Sequence, residues 1–511
     1  MLVAVVLILI STAIICLIQY ARSESTSPKG KPVPKHHGLP LLGMALDINE
    51  SNGIYKFAEL AKRYGEIFCF NVFRQNVVVL NSVFLLRQAF CSEKYGKYFN
   101  NKPKSFYGKY FRPGGDSVAF TPDATGYTYK RMKKSYMKAL HTNGSGIKDL
   151  ETKILSELDN LVTKINSMET KAFIFEEFLK RSLTNVLAVV LVGESLPDGH
   201  SDEDLFWQKT AVEDFFISHY VESILSTLPL LRFMPFTIFS KMYREGKHIQ
   251  KRIAERYFYP IKKTHKRGDE VGIVRFYLEQ QKKEMSNGHE VFTSDDKIIS
   301  QLIETIDAGM ITTWSLMTNS MLILLNHPEY QIKIQKEIDR VIGRKRSPSV
   351  DDRTKCNFLL AFEKEVHRYT PVAPLLLPHM CYENIEFEGF DIKKNSMIVA
   401  NTWYICHDES IWGDPWNFRP ERFLDDNGEL LPSDHPFCRS VTPFGLGERR
   451  CPGEMFGKTR YFLYMATLFQ HYTFETPEGV KQRGCDPRTL EDFDNHLSLR
   501  AKPFWVRALL R

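Results

Sequence analysis

The stretch PFGLGERRCPGEMFG, Pro443 to Gly457, constrains the fold of this chain more than any other. Pro452 is expected at the first position of the helical pattern PGEMFGKTRYFLYMATLFQ. That places Cys451 at a helix N-terminus, where unpaired amides and the macrodipole favour a negative sulfur. A thiolate so stabilised binds iron. Gly445, Gly447 and Gly453 remove side chains where a flat macrocycle must lie against backbone, and Arg449 can reach an anionic propionate. The other cysteines, at 16, 69, 91, 356, 381, 406, 438 and 485, form no C-x-x-C pair and no regular framework. They read as ordinary thiols of a reduced, intracellular body.

The N-terminus adds a second constraint. LVAVVLILISTAIICLI, Leu2 to Ile18, carries no charge, and as a helix it covers about 25 Å, close to a bilayer core. No basic residue precedes it, whereas Arg22, Lys29, Lys31 and Lys35 follow, so the body is expected on the cytoplasmic side. A cleaved signal peptide is the rival reading. Residues 1–21 are therefore read as a single transmembrane anchor. Residues 22–45, with Pro32, Pro34 and Pro40, read as an extended tether that leaves the span mechanically separate from the body. Residues 46–511 are read as the catalytic domain.

The 511-residue chain is long enough for a large core, and its formal charge of +7 is well mixed, which argues against nucleic acid and for local basic patches. The pattern is mainly α with a small β part. Strands are expected within Glu66–Asn81 and Ile385–Thr402, and helices in KILSELDNLVTKI, FFISHYVESIL and KHIQKRIAERYF. The longest apolar helix starts at Ser294 or Asp295 and ends before Pro328. A second span is disfavoured, because Glu304 and Asp307 would sit within lipid. DAGMITT is expected to interrupt this helix at Gly309; taken alone it reads as a Gly-weakened helix or as a site of close approach. Glu365 and Arg368 share a helix face, a spacing equally common on solvated helices. If Arg422 also reached Glu365, the three would form a buried triad.

Together these residues carry a resemblance. FGLGERRCPG fits the haem-binding signature F-x-x-G-x-R-x-C-x-G of the cytochrome P-450 superfamily at every fixed position. Glu365-Val366-His367-Arg368 matches its E-x-x-R, and Pro420-Glu421-Arg422-Phe423 its P-E-R-F. The resemblance runs from the anchor to the terminal KPFWVRALLR. GDSVAFTPDATG, LPHM, NTWYICHDESIW and FRPERFLD look most like the animal microsomal group that includes drug-metabolising enzymes and the steroid 17-alpha-hydroxylase.

The resemblance implies a haem monooxygenase of the endoplasmic reticulum membrane. Cys451 would be the axial ligand of haem b; Phe444, Gly445, Gly453, Ala308, Arg449 and His379 would contact the cofactor. Glu365, Arg368 and Arg422 would hold the core behind it, and Thr312 would orient dioxygen. Electrons would come from NADPH through a cytochrome P-450 reductase, with cytochrome b5 as a second donor, meeting a patch of Lys130, Arg131, Lys134, Lys138 and Arg450. Such a charge run is equally a solvated face. A small apolar substrate would lie under STLPLLRFMPF, Ser226 to Phe236, near Ala308, Val372 and Leu376. Two positions depart from the family. Tyr129 and Lys133 stand where it places W-x-x-x-R and are still expected to bind the cofactor, through the tyrosine hydroxyl and the lysine charge, and Ile311 stands where A-G-x-D/E-T has its acid. Asp307, one turn earlier, is the expected substitute relay. The departure at Ile311 keeps open a haem-thiolate isomerase or dehydratase acting on a peroxide, and a non-catalytic haem sensor or carrier is the alternative of another class.

Overall fold

A computed structural model describes residues 30–40, 42–48, 52–115, 117–124, 126–142, 147–195, 202–218, 221–287 and 292–511. The expected anchor, 1–21, and the start of the tether lie outside them. What is described is mainly helical with small sheets.

Apolar residues on nearly every face of Asp295–Asn326 force that helix into the interior. Ser294 caps it by accepting from the Lys297 amide, and Asp295 and Asp296 complement its N-terminal dipole. Its most apolar window has a mean hydropathy of 1.3 and is 83% buried by protein, so packed side chains cover it. The helix runs unbroken through DAGMITT, contrary to the expected interruption. Gly309 fits because Leu187, from helix Phe175–Val192, packs where a side chain would stand: an added Cβ would meet Leu187 Cδ1 at 3.0 Å. Ala308 and Thr312, one turn apart, are exposed amid otherwise buried turns.

The β-branched and aromatic residues of Ile67–Val72 and Gln75–Leu80 make an antiparallel hairpin, closed at Phe73 with φ 51 and buried along Ile67–Phe70 and Val77–Leu80. Strand Ser396–Ala400 adds in parallel, and His379–Cys381 completes the four-stranded sheet.

The Pro-rich segment is extended, as its prolines require, but from Gly30 onward it is docked rather than free. Lys31–Pro32 pairs in parallel with Phe390–Ile392. The Cys69 amide donates to the Pro34 carbonyl, and the His36 and Met44 amides donate to Cys69 and Asn71 carbonyls, each at 2.8 Å. Met44 is fully buried. Proline removes donors yet leaves carbonyls and neighbouring amides free to pair with a sheet edge.

Candidate active site

The Cys451 loop is shaped by its glycines. Gly447 has φ +68, and an added Cβ would lie 2.1 Å from the carbonyl oxygen of Phe90, on helix Val83–Cys91. Its role is thus to seat the loop against that helix, not to face a macrocycle. Gly445, φ +71, has only Leu376 Cδ1 near, at 4.0 Å. The loop closes when the Cys451 amide donates to the Phe444 carbonyl at 2.8 Å.

Helix Glu454–His471 starts later than expected: Gly453 is its N-cap, and the Gly457 amide bonds the Gly453 carbonyl at 2.8 Å. Pro452 therefore lies in the preceding turn, which leaves the Gly453 amide free to donate to the Cys451 sulfur. Solvent reaches Cys451, yet the surrounding protein raises its thiol pKa while that amide lowers it.

Arg449 was expected to reach an anionic group. Its Nε donates to the Asn100 carbonyl at 3.1 Å, Nη1 to Val118 at 3.0 Å, and Nη2 to Thr121, while its guanidinium stacks 3.6 Å from the Tyr129 ring centre. Tyr129 and Lys133 both donate to the Glu448 carbonyl, so they steady the loop just before Arg449. Burial and Arg449 hold the Lys102 pKa well down. Lys102 donates to the Leu377 and Pro378 carbonyls at 2.9 and 3.1 Å. His379 Nδ1 lies 2.8 Å from the Phe99 carbonyl, and burial, then Lys102, push its pKa well below the usual range. Among the described residues no carboxylate pairs with Lys102 or Arg449. Buried Lys102 and half-buried Arg449, their donors met only by carbonyls, suit an added anion. Lys102 was missed in the sequence, where nothing in NKPKSF marks it as buried.

Two links join this loop to the central helix. Glu304 accepts from the Val118 and Ala119 amides at 3.1 and 2.5 Å, on the segment whose carbonyls Arg449 holds. Tyr136 bonds Thr305 at 2.9 Å. The Thr312 hydroxyl donates to the Ala308 carbonyl at 2.8 Å.

Asp307, expected to relay protons, sits in a closed ion network. Lys209 Nζ meets its two oxygens at 2.7 and 2.6 Å, and Arg112 reaches it at 3.1 Å. Glu213 lies 3.4 Å from Lys209 and 3.6 Å from Arg112, and Lys209 also donates to the Tyr107 hydroxyl at 2.7 Å. Two cations balance two carboxylates with no water-facing member.

The triad forms. Arg368 forks onto Glu365 with two bonds of 2.7 Å, and its Nη1 donates to the Cys406 and Pro415 carbonyls. Arg422 Nε comes within 3.4 Å of Glu365 without hydrogen-bond geometry; its other nitrogens serve the Trp412, Asp414 and Asn417 carbonyls. Burial pushes the Glu365 pKa up and Arg368 pulls it back. His367, on the same helix, sets its ring edgewise to Phe444 at 5.9 Å.

Of the expected basic patch, Lys130, Lys134 and Lys138 form an exposed stripe on helix Tyr127–Thr142. Arg131 instead pairs with Glu284 and Arg450 with Glu454, each at 2.6 Å. Leu376 is partly buried and Val372 buried. Leu228, Leu230, Phe233, Met234 and Phe236 point outward as an exposed apolar patch, not inward as a roof.

A helical body built round one central helix, with a reachable cysteine in a glycine loop backed by a Glu-Arg pair, is the framework of a haem-thiolate enzyme. The Cytochrome P450 family model matches residues 32–504, and the chain belongs to the cytochrome P450 family, whose chemistry is haem-thiolate monooxygenation. It is 31% identical over 490 residues to Cytochrome P450 1A1 of Cavia porcellus, which covers 93% of this chain and 92% of that one. Cytochrome P450 1A2 of Oryctolagus cuniculus is 30% identical over 495 residues, with the same coverage. Both relatives are consistent with the animal microsomal group.

Proposed function

We propose that this chain is a membrane-anchored monooxygenase that inserts one atom of dioxygen into a small hydrophobic substrate, with NADPH electrons delivered by a flavoprotein reductase. The observation that carries this reading is the Cys451 sulfur, reachable by solvent and met by the Gly453 amide in a loop fixed by Gly447. Haem held there supplies oxygen activation, with the thiolate favouring O–O cleavage.

Cys451 is the iron ligand. Lys102, Arg449 and His379 would hold the cofactor's anionic groups, with Tyr129 and Lys133 supporting the loop just before Arg449. Phe444, Gly445, Gly453 and Ala308 would contact it, and Glu365, Arg368 and Arg422 brace the core. Thr312 offers the hydroxyl on the exposed face of the central helix. Proton supply is not given to Asp307, because Lys209 and Arg112 engage both of its oxygens.

Residues 1–21 anchor the chain in the endoplasmic reticulum membrane, and the body on the cytoplasmic side begins at the docked Gly30 rather than at residue 46. The apolar patch at Leu228–Phe236 suits contact with the same lipid surface. The Lys130, Lys134 and Lys138 stripe is the docking face for the acidic reductase, and for cytochrome b5. A second reading, isomerisation or dehydration of a peroxide, has the buried Ile311 in its favour, since such chemistry needs no proton delivery.

The test is purified protein reconstituted with reductase, NADPH and a panel of steroids, fatty acids and aromatic compounds. Oxygenated product that depends on NADPH supports monooxygenation; turnover of a peroxide substrate without NADPH supports the second reading. The reduced, carbon-monoxide-bound protein should show the red-shifted Soret band of thiolate ligation, and Cys451→Ser should abolish it. Persistence of the band in Cys451→Ser would mean that another cysteine binds the iron.

A further inference from the structure

Arg460 lies nine residues beyond Cys451 and is 1% exposed. Its Nη2 donates to the Gly309 carbonyl at 2.5 Å and to the Thr313 hydroxyl. The Phe456 ring lies 4.6 Å from its guanidinium. Nε and Nη1 are buried without a partner. Among the described residues no carboxylate acts on it; the one ionisable neighbour that does is Tyr464, and although burial lowers its pKa to about 10, it remains charged at neutral pH. A buried guanidinium with two unmet donors is costly, and ordered water is the ordinary remedy.

Its position gives those waters a use. Ala308 and Thr312 form the exposed face of the central helix. Successive residues turn by about 100°, so Gly309 and Thr313 lie on one flank of that face, and Asp307 and Ile311 on the other. Gly309 is partly exposed, at the edge of the open face, and its carbonyl is the one that Arg460 holds. The ion network closes the Asp307 flank. Arg112 Nε is also without a partner on that flank, but its guanidinium is paired with both carboxylates, whereas the Arg460 flank presents two free donors on a cation with no counter-charge among the described residues.

We propose that Arg460 is a positioning residue: it holds buried water beside the Gly309 carbonyl and thereby sets the proton supply to Thr312, in place of the acid missing at Ile311. The inference rests on the monooxygenase reading. Each turnover takes dioxygen, two electrons from NADPH through the reductase and two protons from solvent, and yields oxygenated product and water. Arg460 itself loses no proton. Where protons are misdirected, the same two electrons and two protons leave with dioxygen as hydrogen peroxide.

The experiment compares haem-loaded full-length parent, Arg460→Met, Arg460→Gln and Arg460→Lys. In a high-resolution crystal structure of the parent, ordered waters should sit within hydrogen-bond distance of Nε and Nη1 and be absent from Arg460→Met. Hydrogen peroxide per NADPH should rise about three- to tenfold in Arg460→Met and Arg460→Gln, with a steeper dependence on pH, an unchanged KM, and rescue in Arg460→Lys. Peroxide yield and pH profile equal to the parent in variants that keep the thiolate band would overturn the role of Arg460 alone. A protein acceptor or an anion on the two donors would do the same. Absence of the thiolate band from the parent would instead overturn the monooxygenase reading beneath it.

Discussion

Glu304 and Arg449 grip one peptide segment from opposite sides: Glu304 accepts the amides of Val118 and Ala119, and Arg449 donates to the Val118 carbonyl. The segment between the central helix and the Cys451 loop is thus fixed through its backbone, whatever its side chains. Glu304→Ala should lower stability by about 1.5–3 kcal/mol, the range for hydrogen bonds to a charged group. Paired with Arg449→Ala, the loss should be less than additive, because both act on the same segment. Urea midpoints of the two single variants and the double variant measure the coupling.

Two glycines in one loop should behave differently. Gly447→Ala drives a Cβ against the rigid Phe90 carbonyl and should leave no haem-loaded protein. Gly445→Ala meets no neighbour closer than 4.0 Å and should lose only about 1–2 kcal/mol from its left-handed backbone. Haem content after purification distinguishes them.

The triad should tolerate no loss at its centre. Glu365 and Arg368 are fully buried and bonded to each other, so Arg368→Met leaves a buried carboxylate short of its main partner, at about 3–5 kcal/mol. Arg422→Met should be milder toward Glu365, since Arg422 meets it without a hydrogen bond. Thermal unfolding of the two variants gives the order.

His367 should make the protein acid-labile. Burial lowers its pKa from 6.5 to about 3, and neither ring nitrogen has a partner. Below pH 6.5 the unfolded chain takes up a proton that the folded chain refuses, so stability falls as pH falls toward 3. Between pH 7 and pH 5 this loss is about 2 kcal/mol. His367→Leu should remove that share, read as a smaller difference between denaturant midpoints at the two pH values.

Deletion of residues 2–29 should leave a folded, haem-loaded body, because the described pairings begin at Gly30. Deletion of residues 2–44 should not, since it strips the bonds to Cys69, Asn71 and Gly389 and removes buried Met44. Soluble yield and haem content of the two truncations check this.

The site was legible where one local pattern carried the chemistry. Cys451 and the Glu365–Arg368 pair follow from spacing, and the strands within Glu66–Asn81 from their β-branched and aromatic residues. What was not legible depends on contacts between distant segments. Gly447 looked like a cofactor-facing glycine until Phe90 proved to be its neighbour. Asp307 looked available until Lys209 and Arg112 enclosed it. Lys102 and Arg460 are single cations in unremarkable strings, and only burial without a counter-charge marks them. The Leu228–Phe236 run shows the limit of hydropathy: it tells that a segment is apolar, not whether it faces core or solvent.

The docking of Lys31 onto the sheet shortens the leash between body and lipid. Lys31 lies ten Cα–Cα steps beyond the end of the proposed span at 21, and fully extended those steps reach at most about 35 Å. Had the chain been free as far as residue 45, that reach would be more than twice as long. With that proposed span in a bilayer, the catalytic body would be confined to a thin layer above it. The proposed reductase, if anchored in the same bilayer, would meet the lysine stripe by lateral search within that layer, at a raised effective concentration.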